Sequence, residues 1–413
     1  MKNLSPAQLR VFMTLLFIGS FANMDKSLIG LSVTAIADDF SLTASQTGLI
    51  MSIFYVSFIA VTLPGGWIID RFGYRKFVLT SLAILTVGSV LFGSVSGFLL
   101  IVLMRLLVGF GQAGYTNGSP KIIATNFPAA IRGDIQSKVV ATAGIGGVLA
   151  YTLGAYFVQS NWRVAYYVLG GLFFAAFLLT YFFVPEPVLT AEEAEAKRNA
   201  PKVKITEAWK NRNTIVLALA LLFNNLVAVA TINWMPSVFG TLRDGAWDTP
   251  TVINGMMIGN SVVMAVAVAV AGTLVTKRFA GREKLFMLVN SVLSAVFIVG
   301  LIYAPNLPLK LAALYLTTAS LMFAFTSMLT LPYRLIPMRI IASAFAVINI
   351  GAFVGGIFQG TLVGTLTDAF DGSYAPAFMV LAVCSVIAGL VPYLLREPAS
   401  ADAEPRHAAT ASA

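Results

Sequence analysis

The chain has 413 residues, of which 58% are hydrophobic and only 11% charged. A soluble protein of this length needs far more charge to coat its surface, so a soluble globular fold is excluded. The formal net charge of +9 leaves two readings, a nucleic-acid partner or a membrane topology signal, and the positions of the cations decide between them.

Twelve apolar runs follow one another: 11–33, 47–69, 77–97, 99–120, 133–158, 163–184, 213–238, 251–275, 285–304, 309–330, 340–366 and 374–395. Each is about the twenty residues that a helix needs to cross some 30 Å of hydrocarbon. The runs are continuous rather than alternating, which excludes a transmembrane barrel. The expected fold is an all-α polytopic membrane protein with both termini on one side. The first run follows "MKNLSPAQLR" without a small-residue cleavage site and is read as a retained helix.

Mapped onto these runs, 22 of the 27 Lys and Arg fall on the side of the N-terminus and three (Arg163, Arg243, Lys310) on the other, with Lys26 and Arg105 inside spans. This asymmetry places both termini in the cytoplasm of a cell inner membrane. The basicity is topology, and no nucleic-acid partner is expected. Cys384 is the only cysteine and His407 the only histidine, so neither an intramolecular disulfide nor a histidine-based metal site is available. No nucleotide-binding loop is present. The chain is therefore not read as an enzyme; no cofactor is expected, and any energy comes from a gradient.

The one long charged stretch between spans, 185–212, divides them six and six. The reading is an N-terminal bundle over 1–184, a cytoplasmic loop over 185–212, a C-terminal bundle over 213–395 and a disordered tail over 396–413. The halves repeat weakly. "GWIIDRFGYRK" from Gly66 returns as "GTLVTKRFAGREK" from Gly272, and Gly146–Gly147 falls on Gly355–Gly356. Duplicated membrane halves are a transporter feature, with the site near the midplane between them.

The stretch from Gly66 to Lys76 resembles the signature loop of the major facilitator superfamily, G-x-x-x-D-[RK]-x-G-[RK]-[RK]. Gly66, Asp70, Arg71, Gly73 and Arg75 match it, and Tyr74 takes the place of one basic residue. The resemblance implies two pseudo-symmetric six-helix bundles and a charge latch at the cytoplasmic mouth, centred on Asp70. Its glycines are expected to let helix ends approach closely. In the second copy Thr276 stands at the Asp position, so a weaker latch is expected there. "NMDKSLIGLSV", "FYVSFIAVTLPGGWIIDRFG", "RLLVGFGQAGY" and "INWMPSVF" are similar to the anion:cation symporter branch, which includes sugar-acid and organic-anion carriers. Lys26 replaces that branch's Arg, and Gln112 stands at its Glu position. The likeness favours Tyr55, Trp234 and Asn349 as ligands of the substrate.

Without the family, Asp25, Lys26 and Arg105 still stand out as charges inside spans. Each costs about 2.5–3.5 kcal/mol on insertion scales and needs a partner or a task. Counted from the ends of their runs, Asp25 and Arg105 lie at a similar depth, about 9–12 Å from the outer face. A structural salt bridge accounts for those two alone, but Lys26 leaves one cation over, which suits an anionic ligand. Protonation of Asp25 would release both cations to a carboxylate, making Asp25 the proton-coupling candidate. Gln112, Asn225 and Gln359 are further candidates for the cavity wall; a single Asn in a span is as readily interhelical glue.

The leading expectation is a monomeric secondary transporter that takes a small organic anion, such as a sugar acid, inward with a proton by alternating access. The alternatives are a multidrug or metabolite effluxer working by proton antiport and a non-transporting membrane sensor. "TAGIGGVLAYTLG" lacks the Gly-Pro pair expected in the fifth helix of an effluxer, and no added soluble domain serves a sensor.

Overall fold

A computed structural model describes residues 4–186, 205–240, 250–279 and 281–396. Residues 187–204 of the central loop and the tail from 397 lie outside the described residues. Among the described residues, twelve helices are long and apolar enough to cross a membrane. They are α1 (Pro6–Phe40), α2 (Ala44–Phe72), α3 (Tyr74–Gly93), α4 (Phe98–Asn126), α5 (Ala129–Leu149), α6 (Trp162–Phe183), α7 (Arg212–Gly240), α8 (Pro250–Lys277), α9 (Glu283–Tyr303), α10 (Leu307–Thr330), α11 (Ile341–Ala369) and α12 (Ala375–Leu390). A π-helical turn, Ala150–Gly154, and the short helix Ala155–Ser160 continue α5. The face where α1 begins is called here the N-terminal face, and the opposite one the distal face.

Several helices outrun their apolar stretches. The run expected to end at 33 continues to Phe40, because Ala37 and Asp38 carbonyls still find a donor in Ser41, which closes α1 in the left-handed region at φ 50°. Hydropathy marks where hydrocarbon ends, whereas a helix ends where its backbone is capped. Both α1 and α2 begin with a capping box, Ser5 with Gln8 and Thr43 with Gln46.

Helices α1–α6 and α7–α12 form two bundles with the same internal pairings. Helix α1 packs on α5 and α6, α2 on α4, and α3 on α4 and α6; in the second bundle α7 packs on α11 and α12, α8 on α10, and α9 on α10 and α12. The bundles meet through α1 with α7, α2 with α11 and α5 with α8.

The described contacts of the α1–α7 and α2–α11 seams run from the middle of these helices, where the Phe58 and Phe353 rings meet at 4.6 Å, to their distal ends. A methyl group on Gly48 of α2 would stand 2.0 Å from the Gly360 carbonyl oxygen, and one on Gly360 would stand 2.1 Å from that of Gly48. Only glycine permits this approach. At the distal end, the Asp368 carboxylate of α11 accepts the backbone N–H of Ala44 (2.9 Å) and of Ser45 (2.8 Å), and the Ser45 hydroxyl. An acid of one bundle thus caps a helix of the other, at the end where the dipole favours it. Thr34 of α1 bonds Ser237 of α7 at 3.1 Å beside it. One apolar core runs through the N-terminal bundle and across these seams, while a separate cluster around Leu217, Leu221, Met287, Met328 and Val347 fills the C-terminal bundle near the N-terminal face. The bundles are joined on the distal side.

Candidate functional site

The charges expected at one depth do meet, though not by the expected geometry. Helix α1 runs fifteen residues beyond Asp25, about 22 Å at 1.5 Å per residue, whereas Arg105 is seven residues, about 10 Å, into α4. They meet although unequal lengths of helix lie beyond them, and the end of α1 is level with the start of α6, where Asp39 accepts the Trp162 indole N–H at 2.7 Å. The depth count took the end of the apolar run for the end of the helix.

Asp25 is fully buried, and its Oδ1 accepts Arg105 Nη1 at 3.5 Å. Gln112, about two turns along α4 from Arg105, donates Nε2 to the Ala22 carbonyl at 2.9 Å and to Asp25 Oδ2 at 3.3 Å. At the Glu position of the resembling branch, this amide thus acts as a donor to the carboxylate. Arg105 is 2% exposed, with Phe54 and Phe92 rings 5.5 and 5.8 Å from its guanidinium carbon. These distances suit cation–π attraction in a site that water scarcely reaches. Lys26 is placed otherwise. It is half-buried, with Nζ 5.7 Å from the Phe58 ring centroid. Among the described residues no carboxylate lies within ion-pair distance of it.

Other expected ligands are spread over the molecule. The Tyr55 ring lies on Gly356 of α11, where a methyl group would stand 2.8 Å from it, so Tyr55 bridges the bundles next to the charge cluster. Asn349 donates to the Phe345 carbonyl of its own helix (2.9 Å), and Asn225 donates to Ala352 (2.6 Å) across α7 and α11. Asn225 is therefore placed as glue within the C-terminal bundle. Gln359 is buried on α11 beside Gly360. Trp234 does not join the charges: it lines a distal cavity of about 440 Å3 with Thr34, Thr47, Ser237 and Asn254, its ring 5.9 Å from that of Tyr374.

At the signature loop, the side chain of Asp70 lies outside the described residues. Arg75 donates to the Tyr181 carbonyl of α6 at 2.6 Å and lies 3.9 Å from Glu186, and Lys76 is 3.9 Å from the same Glu. Those contacts staple α3 to the end of α6 within one bundle. Arg71 lies over its helix neighbours Trp67 and Phe72. The expectation of close approach at the loop glycines is corrected. A side chain on Gly66 would meet nothing within 4 Å; Gly65, against Asn117, is the crowded one. Gly73 is required by its backbone instead, at φ 83° between α2 and α3. The second copy also holds an ion pair: Glu283 of α9 accepts Arg334 and the Gly281 N–H.

Sequence reasoning missed the aromatic shell of Phe54, Phe58 and Phe92, the Asp368 cap and the Glu283–Arg334 pair. Phe54 stood beside Tyr55, and Asp368 was an acid at a span end; nothing in either neighbourhood specified its partner.

Two apolar six-helix bundles, joined at one face and burying an acid–base pair in the first, define a multi-pass transporter architecture. The profile of the Major Facilitator Superfamily matches residues 15–360. The chain belongs to that family and is a transporter rather than an enzyme. It is similar to the hexuronate transporter of Bacillus subtilis, 24% identical over 97% of this chain and 98% of that one. It is also similar to the cis,cis-muconate transport protein of Acinetobacter baylyi, 24% identical over 94% of this chain and 93% of the other. Its fold is that of a bacterial homologue of the human lysosomal transporter Spinster in an inward-facing conformation, with a TM-score of 0.80 at 17% identity over 95% and 97% of the two chains.

Proposed function

We propose that the protein imports a small organic anion with a proton across the inner membrane, with both termini and the N-terminal face in the cytoplasm. The observation that carries this reading is the pairing of Asp25 with Arg105 and Gln112 beside Lys26, which among the described residues has no carboxylate within ion-pair distance. The cluster holds two cations against one acid, and in a low-dielectric interior such an excess attracts an anion strongly. The relatives named for hexuronate and muconate transport support a carboxylate.

Within this reading the two cations have separate tasks. Arg105 is enclosed by rings and held by Asp25, so it positions the acid. Lys26, half-buried and with no carboxylate within ion-pair distance among the described residues, anchors the carboxylate of the substrate, with Tyr55 next to it at the seam. Protonation of Asp25 removes the charge that holds Arg105 and raises the positive potential around Lys26, so proton and anion bind together. With both aboard, the distal seam closes and the N-terminal face opens to release them; on the empty return the seam parts again, and Gly48, Gly360 and the Asp368 cap are what must separate.

Proteoliposome uptake of a carboxylate panel, with pH and membrane potential clamped separately, tests the reading. One proton carried with a monoanion moves no net charge, so uptake should follow an inward proton gradient and ignore potential. Lys26→Gln should abolish uptake of carboxylates, and Asp25→Asn should retain exchange while losing pH-driven accumulation. Carboxylate uptake that survives Lys26→Gln would remove the proposed anchor.

A further inference from the structure

At the N-terminal face of the C-terminal bundle, far from the charge cluster, a cavity of about 250 Å3 is lined by Arg282, Glu283, Lys284, Arg334, Leu285 and Tyr393, among others. Its charge is unbalanced by construction. The single acid, Glu283, is taken up by Arg334 and by the backbone N–H of Gly281 at 2.9 Å. Gly281 has φ 86°, a conformation that turns the chain back on itself there. Lys284 is fixed by its bond to the Leu395 carbonyl at 3.2 Å. Arg282 is exposed, and its guanidinium forms no hydrogen bond or ion pair among the described residues. Three cations against one neutralised acid leave a net charge of two in a concave site.

What lies above this cavity selects the ligand. Helices α9 and α12 pack side by side, with Ser385 bonded to the Ser291 carbonyl at 2.9 Å. Both carry exposed apolar side chains: Leu285, Val289 and Val296 on α9, and Leu390 at the end of α12, followed by Leu394 in the 3-10 turn Val391–Leu394. Tyr393, also exposed, stands at the level where amphipathic rings sit among headgroups. A soluble phosphate would use the cations and ignore the apolar strip. A phospholipid uses both. We infer that this cavity is a binding site for an anionic phospholipid, its headgroup phosphate among Arg282, Lys284 and Arg334 and its acyl chains along α9 and α12.

The test uses the purified full-length protein, exchanged into nanodiscs of phosphatidylglycerol or of phosphatidylethanolamine, with bound lipid counted by native mass spectrometry after release. Each basic residue at an anionic lipid surface is worth about fivefold in affinity, so Arg282→Gln with Lys284→Gln should reduce retained phosphatidylglycerol about 30-fold. Arg212→Gln, an exposed cation outside the cavity, should leave retention unchanged. Because Lys284 also ties down Leu395, Arg282→Gln alone provides a variant with no structural bond to lose, and its loss should be about fivefold. Equal retention of the two lipids, or unchanged retention in both the single and double variants, would overturn the site. Displacement of the lipid by millimolar glycerol phosphate would overturn the lipid assignment, since a headgroup without chains would then suffice.

Discussion

In the N-terminal bundle, Gly146 lies against Asn23 and Met24 of its own bundle, and the next residue, Gly147, against Ser261 of the other. In the C-terminal bundle, Gly355 lies against Leu222 and Leu226 of its own bundle, and Gly356 against Tyr55 of the other. The same two-glycine step packs α5 and α11 on both sides. The bundle interiors do not match in this way. The first buries Asp25 and Arg105; among the described residues the second buries neutral amides such as Asn224, Asn225's neighbour, and Gln359, and keeps its one buried acid, Glu283, at the helix end. Packing has been repeated while charge has been concentrated in one half. The two halves therefore share their helix packing but not their buried charge.

The largest expected effect comes from the charged interior. Asp25→Ala leaves Arg105 buried without its acid and should cost about 3–5 kcal/mol, read as a large fall in thermal stability of the purified protein. The double variant Asp25→Asn with Arg105→Gln should recover most of that loss while failing to couple uptake to pH. If the single variant is as stable as the parent, the pair has no structural weight and the contrast between the bundles is empty.

Next is the seam. Gly360→Val meets backbone of Gly48, which cannot yield, and should cost about 1–3 kcal/mol of the distal-closed arrangement. In a Cys384→Ser background, a cysteine at Thr47 should then react faster with a distal-side thiol reagent. Gly147→Ala meets only the Ser261 side chain, whose hydroxyl can turn away and whose Cβ at 3.0 Å needs a shift of a few tenths of an ångström, and should change that labelling far less. Equal effects at the two positions would mean that both seams open together.

Asp368→Asn keeps the shape of the cap and loses its charge. Charge-assisted bonds are worth about 1.5–3 kcal/mol each at most, and the exposed position of Asp368 discounts this. An increase in Thr47 labelling of a few-fold is expected, and no change would mean that the glycines alone hold the seam. The smallest effect belongs to the neutral half: Asn225→Ala should cost about 0.6 kcal/mol in stability and leave the substrate KM as it was. A large change in KM would return Asn225 to the binding site.

Within the site, legibility followed the cost of burying each group. Asp25, Lys26 and Arg105 were visible because a charge in an apolar run is expensive and needs a reason. Their roles were not visible, since the sequence gives no distance between α1 and α4. Arg105 and Lys26 read as equivalent cations until the structure put one between Phe54 and Phe92 and left the other half-buried. Trp234 reads as a ligand favoured by the family likeness and Asn225 as a wall candidate or glue; the structure puts the first in the distal cavity and has the second tie α7 to α11.

The sequence by itself determined the twelve spans, because hydrocarbon demands about twenty apolar residues from every crossing wherever it falls in the chain. It also determined the division into six and six, and the presence of a repeat. Only tertiary structure decided which glycines touch which backbone, that Asp368 caps a helix more than three hundred residues earlier, and that Asp25 answers Arg105 from the middle of a 35-residue helix. Solvation acts on each segment locally and is written in composition. Contacts between helices depend on their tilt, overhang and rotation, which are fixed only when all twelve have packed.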